Sequence, residues 1–481
     1  MLTNMHMDHQ DELCVVCGQD YDFDLPEEII AAAKSKNLIL FLGAGISTEN
    51  PQVTPSGTFY DSIRSQADDF LAEDTSFPAV MAAYEKANTR RALIEQIYHR
   101  FENVKAFRDS YFHSTQFFRE MATMPYIDTI FTTNWDTNVE EFCAATPFIT
   151  GQDIALWNVA KRKVLKIHGS ISNLGSIVAT TSDYEKNFEN LSKGFMGSFL
   201  KTAFATKTVV FIGYSLRDWN ILKLYEDLTN DLGGFTPSSF KVSPNAAHDS
   251  EHPNIKPIST SGTNFLTTLK SRMTQEGYLS DKVYDEAASL VQKVLELDPR
   301  NEEHFLNVKD YPHLIYSWAY NDGLNDALDR IIRFEKSGQY SDKTHVLNML
   351  HDYDHLIENA NQKGLFWDEI YLEGYWTGLS VLVTSEHDSS KSGEQNLFKQ
   401  YLLFQYDSEK PINDLSTLRK YLETTKEVDE EYYQYALKKV QDLPDNFIIR
   451  HSGELPPAVF DFTMQGRESQ NFSPPGAEAS I

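Results

Sequence analysis

The stretch "LILFLGAGIS", Leu38–Ser47, governs the reading of the whole chain. Its first half is an unbroken apolar run with no polar alternation. That pattern fits a strand buried on both faces, as in a parallel sheet covered by helices. The run then breaks into Gly43-Ala44-Gly45. Small residues directly after a buried strand make a tight turn, and ligands of open parallel sheets gather at that end of the strands. Gly43 is expected to permit the turn, and Gly45 to let backbone approach a pyrophosphate at the start of a following helix. The third glycine of a dinucleotide fingerprint is Thr48 here, and no carboxylate stands clearly at a second strand end to hold a ribose. An ordinary hydride-transfer site therefore does not explain the stretch.

Outward from it, "PEEIIAAAKSK" reads as a helix, with carboxylates in its first turn and lysines in its last, as the helix dipole favours. Helical sequence runs on to about residue 122. Three more short apolar runs, "IDTIFTTN", "KVLKIHG" and "TVVFIGYS", have the character of buried strands, and "SFKVSPN" and "NIKPIST" of two weaker ones. "TNFLTTLKSRM" closes the series as a helix. The order predicts an α/β domain over residues 28–275, with a doubly wound, Rossmann-like parallel sheet. Residues 1–27 form an irregular acidic lead-in, 276–464 a mainly α-helical domain, and 465–481 a tail expected to be disordered. In the helical half, Val283, Ala287, Leu290, Val291, Val294 and Leu297 share one helix face, and "FWDEIYLEGYW" concentrates aromatic residues around Trp367 and Trp376.

Composition narrows the class. A hydrophobic content of 41% suits a globular core, and no apolar run approaches the roughly 20 residues of a membrane span. The first residues lack a basic segment followed by an apolar one, so no secretory leader is expected. Only Cys14, Cys17 and Cys143 occur, which points to a reducing, cytoplasmic setting. Seventy acidic residues against 43 basic ones give a formal charge of −27, a field that repels phosphate backbones. Direct binding to nucleic acid is not expected, nor is a membrane partner.

The four strong strands each run into a small or polar cluster: Gly43-Ala44-Gly45, Thr132-Thr133-Asn134-Trp135-Asp136, His168-Gly169 and Gly213-Tyr214-Ser215. Each has a plainer reading alone. A histidine after a strand often serves structure, an asparagine can cap a helix starting at Trp135 or Asp136, and Gly213 can simply turn the chain. Together they place four polar strand ends at one crevice.

In these four elements the chain resembles the sirtuin family and its sirtuin-like NAD-cleaving relatives. "GAGIS" is similar to the family's first motif, "TTNWD" to its "TQNxD" element with Thr133 in place of Gln, "KIHG" to the catalytic-histidine motif, and "FIGYSLRD" to the last strand-end motif of bacterial sirtuin-like proteins. The resemblance covers about half the chain. It implies NAD+ as substrate, His168 as general base, and Asn134 as the residue holding the nicotinamide ribose and attacking water. It further implies Asp136 beside the nicotinamide carboxamide, with Thr133 in the same element, and Gly43, Ala44, Gly45 and Ser47 around the phosphates. Gly213 and Ser215 then face the adenosine, and Ser243 and Gly262 line the adenine end. The chemistry suits these residue types. Histidine accepts a proton near neutral pH, and a neutral amide orients hydroxyls without adding a charge that would trap an oxocarbenium-like ribose.

Deacylating sirtuins carry two cysteine pairs for zinc after the catalytic histidine, and between His168 and Gly213 this chain has none. A "PDFR"-like segment after the first motif is also missing, so water rather than an acyl-lysine is the expected acceptor. His6, His9, Cys14 and Cys17 have spacing that could close around zinc, but a chance pair in an irregular segment is the simpler reading, and no metal site is assigned. The expectation is an NAD+ glycohydrolase joined to a helical regulatory or assembly domain, acting in antiphage defence by NAD+ depletion. The alternatives are NAD-dependent deacylation or ADP-ribosyl transfer, and a non-catalytic module sensing NAD or ADP-ribose. A lethal activity is safest when its site is completed only in an assembly, and closed homo-oligomers are the commonest one, so a homo-oligomer is expected. The resemblance implies an activating partner, either a HerA-type ATPase, a short Argonaute or a phage protein.

Overall fold

The computed structural model describes residues 23–47, 59–67, 74–106, 111–112, 114–216, 218–244, 246, 254–280, 282–292, 308–384, 416, 420, 423 and 430–443. The chain divides into two compact units: Met1–Asp281 with Lys336–Asp342, and Lys282–Glu335 with Lys343–Ile481.

The first unit is built on a seven-stranded sheet in the order β3-β4-β2-β1-β5-β6-β7. Its strands are β1 Leu38–Leu42, β2 Thr129–Thr132, β3 Thr146–Phe148, β4 Lys163–Lys166, β5 Thr208–Ile212, β6 Ser239–Ser243 and β7 Ile255–Ser259. Every pairing is parallel. The chain leaves β1 towards β2 on one side and later returns to lay β5 on the other. This puts the switch point of the sheet at β1, where α/β sheets bind ligands.

β1 is buried along its whole length because both faces are covered. Leu38, Leu40 and Leu42 join one apolar core with Ile29, Ile30, Phe117 and Phe265. Ile39 and Phe41 join the opposite one with Phe131, Phe204 and Phe211. Each such side chain contributes about 1.5–3 kcal/mol of burial, which explains why the strand tolerates no polar position. Between β1 and β2 the helices Phe59–Ala67, Phe77–Ala87 and Arg90–Ala106 form a third apolar cluster, centred on Ile63, Met81 and Leu93. Trp135 and Ile171, from the loops after β2 and β4, pack against it.

Strand β3 is an addition to the sequence reading. It has three residues, includes Pro147 and lies at the sheet edge, where a missing backbone donor is tolerated. Arg162, the residue before β4, is buried and donates to the carbonyls of Ile127, Ala122, Cys143, Met124 and Lys336. Those carbonyls disperse its charge and hold the start of β4 in place.

The second unit contains the helices Ile315–Arg333, Lys343–Gln362, Phe366–Thr384 and Glu430–Gln441, preceded by helix 283–292. Val283, Ala287 and Leu290 are buried, whereas Val294 and Leu297 lie outside the described residues. Trp367 is buried edge-on to Trp318, with ring centroids 5.4 Å apart, so this aromatic position is core. No helix among the described residues is long and apolar enough to cross a membrane.

Candidate functional site

Register aligns the strand ends. Lys166 of β4, Thr132 of β2, Leu42 of β1 and Ile212 of β5 stand opposite one another, so the residues after them leave the sheet from one row. The four polar clusters therefore share one edge of the domain.

At the first position the chain turns into a single helical turn, Ala44–Ser47. The glycines there pack closely against the turn that follows β5. The Gly45 N–H donates to Gly213 O at 2.8 Å, and Gly43 N–H to Ile212 O at 3.0 Å. A Cβ on Gly43 would lie 2.5 Å from Gly213 O, and one on Gly45 2.7 Å from the same atom. Gly213 has φ +61°, in the left-handed region. The three glycines thus let the β1 and β5 turns interlock, whereas Ala44 and Ser215 are exposed at the same edge.

The β2 loop is tied to this turn. Thr132 Oγ1 donates to Leu42 O at 2.9 Å and accepts from Asn134 N–H at 3.0 Å. Half-buried Thr133 reaches Leu42 O through its N–H at 3.4 Å. Buried Asn134 donates through Nδ2 to Gly43 O at 2.9 Å and to Ser47 Oγ at 3.2 Å. The carbonyl opposite identifies that amide atom as nitrogen, and both its hydrogens are used. What Asn134 can offer a ligand is Oδ1, an acceptor for a hydroxyl or water.

Ser47 Oγ in turn donates to Asp136 Oδ2 at 2.8 Å, and Asp136 Oδ1 accepts from Asn138 N–H at 3.1 Å. The helix after the loop runs Asn138–Cys143, so Asp136, not Asn134, satisfies its first donor, the Asn138 N–H. Each carboxylate oxygen of Asp136 retains a further lone pair for an amide N–H. Lys166, with only 1% of its side chain exposed, donates to Asp136 O and lies 3.5 Å from Glu140 Oε1. Burial raises the Glu140 carboxyl, and the Lys166 ammonium opposes that rise.

His168 follows β4 and is 3% exposed. Its Nε2 lies 3.0 Å from Asp218 Oδ2, out of line for a well-formed hydrogen bond. Tyr184 meets the ring edge-on at 4.9 Å. The Tyr184 and Tyr214 phenols are raised above their ordinary range, by burial first and then by the Asp218 charge. Gly169, at φ +82°, lets the chain turn away immediately after the imidazole.

Ser243 and Gly262 lie farther along the same edge, Ser243 ending β6 and Gly262 opening the helix Gly262–Gln275 after β7. Ser243 O accepts from Ala246 and Thr260 N–H. His6, His9, Cys14, Cys17 and Thr48 fall outside the described residues. Among the described residues no cluster of three or more His, Cys, Asp or Glu could hold a metal.

Two residues of this site, Asp218 and Lys166, were not singled out in the sequence. Both stood inside quoted motifs, yet an aspartate before a helix reads as a cap and a strand lysine as an edge residue. Only the tertiary pairing reveals more.

Residues 128–258 match the family model of the SIR2-like domain. The chain carries a SIR2-like domain. The match opens just before β2 and ends within β7, taking in Asn134, Asp136, His168, Gly213, Ser215, Asp218 and Ser243. The NAD(+) hydrolase ThsA of Enterococcus faecium is 31% identical over 116 residues, which cover 23% of this chain and 24% of that protein. The chain thus spans about a quarter of the length of this curated relative. The match takes in strands β2 to β7 of the parallel sheet and leaves β1 and the turn after it outside.

Proposed function

We propose that the SIR2-like domain binds NAD+ across the ends of β4, β2, β1 and β5 and hydrolyses it to nicotinamide and ADP-ribose. The observation that carries this reading is the Asn134 amide. Its nitrogen is committed to Gly43 O and Ser47 Oγ, so a neutral carbonyl acceptor remains beside the row that also bears His168. The likeness to an NAD(+) hydrolase supports the same chemistry.

In this reading Asn134 Oδ1 accepts from the nicotinamide ribose or the attacking water. Asp136 receives the nicotinamide carboxamide while keeping Ser47 and Asn138 as partners. The turn Gly43-Ala44-Gly45, bare of side-chain bulk and anchored to the β5 end through the Gly43 and Gly45 N–H groups, lies along the phosphates, with Ser47 between phosphates and ribose, and Thr133 supports the loop. Gly213, Ser215, Ser243 and Gly262 run toward the adenosine. The ribose C1′–nitrogen bond breaks with its electron pair going to the nicotinamide, which leaves neutral and needs no acid. Water forms the new C1′–oxygen bond and gives its proton to His168.

Water is the favoured acceptor because no cysteine pairs follow His168 to build the zinc module of a deacylase. We extend the proposal to NAD+ depletion in antiphage defence within the cytoplasm, held in check by the helical unit. This control works in a homo-oligomer and through an activating protein partner, with a HerA-type ATPase, a short Argonaute or a phage protein as the candidates. Incubating the full-length protein with NAD+, with and without candidate activators, separates the readings. Equal nicotinamide and ADP-ribose supports hydrolysis. Product that requires an acyl-peptide or a modified protein supports deacylation or ADP-ribosyl transfer, and binding without turnover supports a sensor. Light scattering across a concentration series tests the oligomer.

A further inference from the structure

One carboxylate at the site has no part in the reaction as written. Asp218 reaches His168 from the far side of the sheet edge, after β5, and only 9% of its side chain is exposed. Its two oxygens have separate partners. Oδ1 accepts from Asn220 N–H at 3.1 Å and caps the helix Trp219–Leu232, while Oδ2 lies 3.0 Å from His168 Nε2. The backbone that delivers it is strained. Leu216, two residues earlier, has φ +58°, a conformation costing a non-glycine residue about 1–2 kcal/mol. Such strain persists where the surrounding structure dictates the chain path.

We propose that Asp218 is a positioning residue for His168, holding the imidazole proton on Nε2 and leaving Nδ1 as the nitrogen that takes the proton from water. Nε2 is sealed from solvent and faces the carboxylate. Among the described residues Nδ1 has no hydrogen-bond partner. A carboxylate at one ring nitrogen selects the tautomer protonated there, and the opposite nitrogen keeps its lone pair. The role of Nδ1 rests on the hydrolase reading, whereas the pairing of Asp218 with Nε2 does not.

The competing role is capping alone. Asn and Ser cap helices about as well as Asp, so Asp218→Asn and Asp218→Ser keep the cap while removing the carboxylate. Nitrogen NMR of the full-length protein labelled at histidine reads the tautomer directly, with the His168 signals assigned by their loss in His168→Gln. The expected result is Nε2–H in the wild type at pH 7.5 and a shift toward Nδ1–H in both variants. Turnover should fall by about 10²–10⁴-fold, the range for an acid–base residue in the wrong state, with KM within about threefold and an unchanged melting temperature. A wild-type tautomer in both variants, or turnover within about threefold of wild type, overturns the proposal. If the wild type cleaves no NAD+, the hydrolase reading fails, and the tautomer still decides the pairing.

Discussion

The side-chain nitrogen of Asn134, after β2, reaches the segment after β1, 2.9 Å from Gly43 O and 3.2 Å from Ser47 Oγ. These two bonds orient the amide before any ligand arrives, and that preorganisation is their value to catalysis. Asn134→Ala should remove turnover. Asn134→Asp should do no better, because an oxygen would then face Gly43 O and one buried acceptor would lose its donor, at about 1–3 kcal/mol. Turnover assays with thermal melts check both, and a fully active Asp variant would return Asn134 to a structural role.

His168→Ala should reduce NAD+ cleavage by about 10²–10⁴-fold while leaving the fold intact. The small apolar replacement leaves Asp218 its helix cap at Asn220 N–H, so circular dichroism should be unchanged. Activity within about threefold of wild type would assign the base elsewhere.

The strand ends were legible because burial leaves a coarse mark. β1 cannot afford a polar residue, so the break at Gly43 stands out, as do Asn134 and His168 after their own apolar runs. Pairings across the sheet left no such mark. Gly45 suited a pyrophosphate turn, but its N–H bond to the Gly213 carbonyl, 2.8 Å away across the sheet, carried no sequence signal. The Asn134 cap was plausible until the helix began at Asn138 and Asp136 met its first N–H. β3 escaped notice because three residues including a proline show no periodicity.

Glycine substitutions should separate backbone strain from crowding. Gly213→Ala places a Cβ in hard contact with Ile46 N and retains a left-handed φ, so it should destabilise by well over 2 kcal/mol and distort the site. Gly277→Ala has φ +77° with nothing within 4 Å, in the left-handed cap that ends helix Gly262–Gln275, so its cost should stay near 1–2 kcal/mol, the left-handed penalty. Denaturant titration of the two variants measures the gap. Equal losses would mean the interlock contributes nothing.

In the helical unit, burial first and the neighbouring Glu369 second raise the Glu373 carboxyl from 4.5 to about 7. The folded state then binds a proton that the unfolded state has released between those values. Stability should therefore fall as pH rises through about 4.5 to 7 and level off above. Glu373→Gln removes this slope, so its melting temperature relative to wild type should climb across that window. A difference independent of pH would show that Glu373 titrates normally.

The central claim is tested most directly by quantifying nicotinamide and ADP-ribose together after adding NAD+ to the activated full-length protein, beside His168→Ala and Asn134→Ala. The account predicts the two products in equal amounts from wild type and neither variant producing them at a comparable rate. Undiminished cleavage by both variants, or nicotinamide release only with an acyl-peptide or protein acceptor present, would contradict it.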